Sequence, residues 1–218
     1  MITVCLPTQN ARALARAVEA LQRGQVVAFP TDTVYGVGAH AFLPDAVTRL
    51  YTVKKRPSHL PIPLLLAEAE EMEAVCTQIP PLAWRLAERF WPGGLSLVLP
   101  RAPTVPDVVT AGGETVAVRL PDHDLVRELI RRLGAPLAAT SANIHGQPPP
   151  VTAEEVAAQL NGRIPLILDG GPCPGGVAST VLDLTVSPPR VLRPGPVTAA
   201  QLATLKDLRF SVNPAPAV

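Results

Sequence analysis

Phe29-Pro30-Thr31-Asp32-Thr33-Val34-Tyr35-Gly36-Val37-Gly38, answered further along by Lys54-Lys55-Arg56-Pro57, is the stretch from which the fold is read. Val26-Val27-Ala28-Phe29 is an apolar run stopped by Pro30 and followed by hydroxyls, a carboxylate and two glycines. That is the pattern of a buried strand delivering a polar loop. Loops fixed to a rigid strand end are where binding and catalytic groups concentrate. The three cations before Pro57 close a short helical pattern, where they can face a phosphate. Together the two segments point to an anionic ligand of the nucleotide class.

At 218 residues the chain can bury one core, and α/β units of this length are commonly single domains. The expectation is one domain over 1–208, with the Pro- and Ala-rich 209–218 a loose tail. With 19 basic and 18 acidic side chains the net charge is +1, so no strong overall field favours duplex nucleic acid and any cation cluster is local. Sixteen of the 19 cations are arginine, which suits fixed bidentate contacts to phosphate or carboxylate, although a genome-wide bias gives the same count. Cys5, Cys76 and Cys173 are scattered and lack metal-ligand spacing. No basic and apolar leader opens the chain and no apolar run approaches the ~18 residues of a membrane span, so a cytoplasmic location without membrane is expected. The 26 prolines punctuate apolar segments, which marks them as strand ends and turns.

In chain order, Asn10 is read as the cap of a helix whose Ala11, Leu14, Ala15, Val18 and Leu21 share a face, with Gly24 past its end. Residues 45–53 form a second helix leading to Lys54, and 62–66 a short buried strand. Helices follow over 68–76 and 82–90, the latter opened by Pro81. Trp91-Pro92-Gly93-Gly94 turns into a strand over 95–99. In Val116-Ala117-Val118-Arg119-Leu120 the alternation sends Arg119 away from the main apolar face. Asp122 is read as the cap of a helix ended by Gly134. A strand over 136–140 delivers Ser141-Ala142-Asn143-Ile144-His145-Gly146. Thr152 and Glu155 form a capping box, as do Thr198 and Gln201. Strands over 165–168, 179–184 and 191–192 complete the set, with the Gly-rich 170–178 segment read as a loop or lid. Strands alternating with helices give an α/β sheet covered by helices, and several short strand connections make it mixed.

Strand ends thus put forward Thr31, Asp32, Thr33, Tyr35, Lys54, Arg56, Arg119, Thr140, Ser141, Asn143, Ser179, Thr180 and Arg193. The set is rich in cations and hydroxyls and poor in bases, which suits positioning and charge neutralisation in phosphoryl or nucleotidyl chemistry better than acyl transfer. Neither a Walker-type phosphate loop nor a nucleophile elbow is present. His40, His59, His123 and His145 lack ligand spacing, and Asp122-His123-Asp124 reads as a helix start.

FPTDTVYGVGA, KKRP, VAVRLPDH, TSANIHGQPPPVT, ASTVLDL and VLRPG, spread from about Val26 to Gly195, occur in the order found in YrdC-type threonylcarbamoyl-AMP synthases, and the chain resembles that family. The resemblance implies an open twisted YrdC-like α/β sheet with a large basic concave cavity. It implies that L-threonine, bicarbonate and ATP, with Mg2+, give threonylcarbamoyl-adenylate and pyrophosphate. The activated group then passes, through a partner tRNA threonylcarbamoyl-transferase complex, to the adenosine beside the anticodon. By motif position Lys54, Arg56, Thr115, Ser141, Asn143 and Arg193 hold the nucleotide and its phosphates, with Lys54 and Arg56 neutralising the pyrophosphate. Thr33, Arg119 and Ser179 hold threonine, and no metal is held by protein side chains alone.

Two departures stand out. Longer relatives carry Asn and His in a segment like NPLIVH, where this chain has Leu60-Pro61-Ile62-Pro63-Leu64-Leu65, so those contacts do not carry over, and Leu60 and Leu65 are either pocket or core residues. Those relatives also continue into a second domain, and with 23 residues after Gly195 this chain reads as the catalytic module alone. The alternatives are a carbamoyl-adenylate module of hydrogenase-maturation type and an RNA-binding or ribosome-maturation protein using the concave surface; for the synthase itself a weak contact with tRNA is a further expectation. Only eight aromatic residues and a near-neutral charge argue against the RNA-binding alternative.

Overall fold

The computed structural model describes residues 2–174, 176–205 and 209–212. Its strands are β1 (Val4–Pro7), β2 (Val27–Phe29), β3 (Gly36–His40), β4 (Leu64–Leu65), β5 (Leu95–Pro100), β6 (Thr115–Arg119), β7 (Leu137–Ser141), β8 (Leu166–Asp169), β9 (Thr180–Asp183), β10 (Arg190–Arg193) and β11 (Ser211–Val212). They form a single 11-stranded sheet in the order β1-β8-β2-β3-β7-β4-β6-β5-β9-β10-β11. The sheet is mixed as expected: β2/β3/β7/β4 are antiparallel, whereas β4/β6 and β5/β9 are parallel. Of the tail from 209, Ser211–Val212 pair in parallel with β10, and 213–218 lie outside the described residues.

Alternation along the strands separates two cores. Ala28, Val37, Leu64, Leu97, Val116, Val118 and Leu182 point to one face. There they meet apolar residues of the helices α2 (Pro44–Lys54), α4 (Pro81–Phe90) and α7 (Ala153–Leu160), with the short α3 (Met72–Val75), α5 (Asp107–Thr110) and α8 (Ala199–Leu202) completing the layer. Val27, Phe29, Leu65, Leu137 and Ala139 point to the other face and pack against α1 (Ala13–Gln22) and α6 (Asp124–Leu133). That second cluster stops at Leu65 and Ala139, and beyond them the same face of β6, β5 and β9 lines a cavity.

The Gly-Val-Gly of β3 is explained by Phe29. A Cβ on Gly36 would stand 2.9 Å from the Phe29 ring and one on Gly38 3.1 Å, so both positions must be bare for the ring to lie across the strand. Filling one of the core's largest sites this way is worth about 1.5–3 kcal/mol.

Local readings differ from the structure where a backbone group has a better partner. α1 starts at Ala13, not beside Asn10, although Asn10 Oδ1 still accepts the Arg12 N–H at 2.9 Å. Asp122 does not cap α6, whose N-cap is His123. The strand expected over 62–66 shrinks to two residues because Pro61 and Pro63 have no N–H to give the ladder. Residues 68–76 split into a 3-10 turn over Ala69–Glu71 and α3. Thr152 accepts the Glu155 N–H, but the Glu155 carboxylate takes the N–H of Val151; the Thr198–Gln201 box is complete.

Candidate active site

The cations of the Lys-Lys-Arg run are parted by backbone geometry. Lys54 is the last residue of α2, where a positive charge complements the helix dipole. Lys55 follows with φ +51°, a left-handed conformation that is strained for a non-glycine residue and turns the chain sharply. Lys54 is 1% exposed and its Nζ donates to the main-chain carbonyls of Ser141, the last residue of β7, and Asn143, in the loop that follows. Burial, with repulsion from Arg56 second, pushes its pKa down to about 7. Arg56 turns the other way: its Nη2 donates to the Pro61 carbonyl at 3.0 Å and it lines the cavity.

Arg119 stands on β6 beside Leu65, its register partner on β4. Its Nε donates to the Gly93 carbonyl at 2.9 Å, its Nη1 to Thr33 Oγ1 at 3.2 Å, and its Nη2 forms an ion pair with Asp32. Burial lowers its pKa and Asp32 opposes the shift. Thr33 is fixed in turn by Thr31, hydroxyl to hydroxyl at 3.0 Å. Across the cavity Ser179 Oγ lies 2.9 Å from Ser96 Oγ and accepts from Arg193 Nη2 at 3.1 Å, while Arg193 Nε donates to the Ser179 carbonyl at 3.0 Å. The pKa of Arg193 is lowered by burial and then by Arg119 and Arg56, so the three guanidiniums feel one another.

The cavity, about 420 Å³, is lined by Thr33, Arg56, Thr115, Arg119, Ser141, Ser179 and Arg193 among the residues expected from sequence. Thr31, Ser96 and Thr140 add hydroxyls, while Leu65, Val98, Ala117, Val181 and Leu192 form an apolar floor and rim. Among the described lining residues the charged groups are arginines alone. Such a wall receives an anion with flat apolar parts and offers no carboxylate to repel it.

Lys54 and Asn143 are not in that wall. The ammonium of Lys54 is spent on carbonyls, and Asn143 Nδ2 donates to Ile144 O at 2.9 Å and Gln147 O at 2.8 Å. Both therefore shape the 141–147 loop from its buried side. Of the two leucines, Leu65 lines the cavity, while Leu60 does not; its carbonyl accepts from Tyr51 Oη at 2.8 Å and from Arg56 Nε at 3.3 Å.

The 170–178 segment is a loop with Gly175 outside the described residues. Tyr35 Oη donates to Gly171 O at 2.8 Å, Cys173 N to Val151 O at 2.8 Å and Gly176 N to Thr33 O at 2.7 Å, so it is anchored to the Thr33-Tyr35 loop. Among the described residues no group of three or more His, Cys, Asp or Glu could hold a metal ion.

Sequence reasoning missed Ser96 and Val98, although their alternation with Leu95, Leu97 and Leu99 carried the signal: the leucines face the core and these two face the cavity. Asp32 was named among the strand-end groups, but its pairing with Arg119, 87 residues on, had no local sign.

The family model of the Sua5, YciO and YrdC proteins, described as "Telomere recombination", matches residues 19–195. The chain is 49% identical to the Pyrococcus abyssi threonylcarbamoyl-AMP synthase over 80% of its own length and 52% of that protein's. It is 48% identical to the Bacillus subtilis protein of the same name, covering 87% of this chain and 55% of that one. The chain thus spans about half the length of both. A putative threonylcarbamoyl-AMP synthase of Mycobacterium tuberculosis matches at 44% identity over 90% of each chain. Among solved structures, P. abyssi Sua5 complexed with L-threonine superposes with a TM-score of 0.91 at 42% identity, over 96% of this chain and 62% of that one. Full-length HypF, at 20% identity and a TM-score of 0.74, shares the fold. From the matched span and these identities, the chain belongs to the Sua5/YciO/YrdC family.

Proposed function

We propose that the cavity is the active site of an L-threonylcarbamoyladenylate synthase. It would make threonylcarbamoyl-AMP and pyrophosphate from L-threonine, bicarbonate and ATP, for threonylcarbamoyladenosine formation beside the anticodon of tRNA. The observation that carries this reading is one cavity in which three guanidiniums stand among hydroxyls, with no carboxylate in the described wall.

In this reading the threonine amine attacks the carbon of bicarbonate and water leaves, giving the carbamate. A carbamate oxygen attacks the α-phosphorus of ATP, the bond from that phosphorus to the bridging oxygen breaks, and pyrophosphate departs with the charge. Arg119 would hold the threonine carboxylate, with Thr33 and Ser179 beside it. Arg56, Arg193, Thr115 and Ser141 would hold the nucleotide and neutralise the leaving group as charge develops. Lys54 and Asn143 would act through the loop they brace. The carbamate is already anionic, so its attack on the α-phosphorus requires no general base. ATP enters as its magnesium complex, and its triphosphate carries the ion. The product would pass to a partner transferase complex in the cytoplasm; among the described residues no helix is long and apolar enough to cross a membrane.

Calorimetry on the purified chain and two variants tests the assignment of the two halves. Arg119→Ala should abolish threonine binding and spare ATP, and Arg56→Ala should do the reverse. Undiminished threonine binding by folded Arg119→Ala protein overturns the carboxylate assignment.

A further inference from the structure

Arg119 meets an acid inside the protein before any substrate arrives. Its side chain is 8% exposed and that of Asp32 15%, and the two form an ion pair through Nη2 and Oδ1. Nε and Nη1 are engaged as well, by the Gly93 carbonyl and the Thr33 hydroxyl. A guanidinium has five N–H groups in a rigid fork. These three bonds use one hydrogen on each nitrogen, so a carboxylate reaching this fork meets one free hydrogen on Nη1, one on Nη2 and none on Nε.

We propose that Asp32 is a positioning residue that locks Arg119 so that an incoming amino-acid carboxylate is received by the hydrogens left free on Nη1 and Nη2. Asp32 also gives the buried guanidinium a counter-charge in the ligand-free protein, where an unpaired cation would be costly. Without it, the long side chain is free to seek other acceptors and the geometry of the anchor is lost. A competing role has the opposite sign: were Asp32 sitting in the substrate's own seat, removing it would tighten binding. The inference rests on the threonine reading of the cavity.

The test is threonine titration of the full chain and of Asp32→Ala and Asp32→Asn, with ATP titration on each as the control. Asp32→Ala should weaken threonine binding by at least about tenfold, since a small misplacement of an anchoring group is amplified in the bound geometry. ATP affinity should stay within about twofold, because Arg56 and Arg193 do not depend on Asp32. Asp32→Asn keeps an oxygen acceptor for Nη2 and should return threonine affinity to within about threefold of the parent. Unchanged or tighter threonine binding by folded Asp32→Ala protein overturns the proposal, as does an Asn variant as weak as the Ala variant. Should Asp32→Ala not fold, Asp32→Ser, whose hydroxyl is too short to reach Nη2, takes its place against Asp32→Asn. A parent chain that binds ATP but not threonine overturns the functional reading together with this inference; a parent that binds threonine equally with and without Asp32 overturns the inference alone.

Discussion

Lys54 and Ser141, 87 residues apart in sequence, are joined by a bond from the buried ammonium to a main-chain carbonyl, and the same ammonium reaches the carbonyl of Asn143. The end of α2 therefore sets the loop that presents the Ser141 hydroxyl to the cavity, while Arg56 faces the cavity itself.

Lys54→Met removes the charge and leaves two carbonyls without their donor. The expected result is a folded protein whose KM for ATP rises more than its kcat falls, because the loop that cradles the nucleotide is loosened. Steady-state kinetics with ATP varied at saturating threonine checks it, and an unchanged KM for ATP contradicts the bracing role.

The depressed pKa of Lys54 gives two opposed pH trends. An unfolded lysine titrates at its ordinary 10.5, whereas burial brings the folded one toward about 7. Between those values the unfolded chain binds more protons, so this group's contribution to stability rises with pH; below 7 both forms are charged and the full burial cost is present. Activity should move the other way, since the charged donor that holds the loop is lost above the folded pKa. The melting temperature of the parent minus that of Lys54→Met should thus grow between pH 7 and 9.5 while parental turnover declines, and in the variant that decline should vanish.

Gly195 is enclosed by backbone. A Cβ there would lie 2.4 Å from Thr180 N and 2.5 Å from Ala178 O, and no rotamer relieves either contact. Gly195→Ala should cost about 3 kcal/mol and push Ser179 out of place. Gly134 offers the comparison, with φ +72° and nothing within 4 Å of its added Cβ. There alanine should cost about 1–2 kcal/mol through backbone conformation alone. Denaturant melts of the two variants check the order, and Gly195→Ala should in addition bind threonine poorly.

Much of the site was legible because it sits where periodicity changes. The switch from apolar strand to polar loop after Phe29, the alternation that turned Arg119 off the Val116-Val118 face, and the polar loop after β7 each marked residues that the fold brings to one cavity. What the sequence could not carry was the direction of a side chain after a left-handed residue. Lys54 and Arg56 look equivalent on paper, but Lys55 sends one into the protein and the other into the cavity. Pairings across the sheet, such as Ser96 with Ser179, had no local sign either, because strand order decides them.

Leu65 lies on the cavity wall directly beside Arg119. If the threonine methyl packs on it, selectivity over serine rests on that contact, worth roughly 1–3 kcal/mol in an apolar pocket. Serine should be a poor but detectable substrate of the parent, and Leu65→Ala should narrow the threonine-to-serine ratio of kcat/KM. An unchanged ratio removes Leu65 from the methyl site.

Arg56→Ala should lower turnover by the equivalent of about 2–4 kcal/mol, the worth of a charge-assisted contact made in the transition state, and Arg56→Lys should recover part of it. Circular dichroism verifies that the fold is kept. Parental turnover in the alanine variant removes Arg56 from the phosphates.

Pyrophosphate release by the purified chain, with each substrate omitted in turn, tests the central claim most directly. Release from ATP should require threonine and bicarbonate together and should stop when either is left out. Equal release with carbamoyl phosphate in place of both, or no release under any combination, contradicts it.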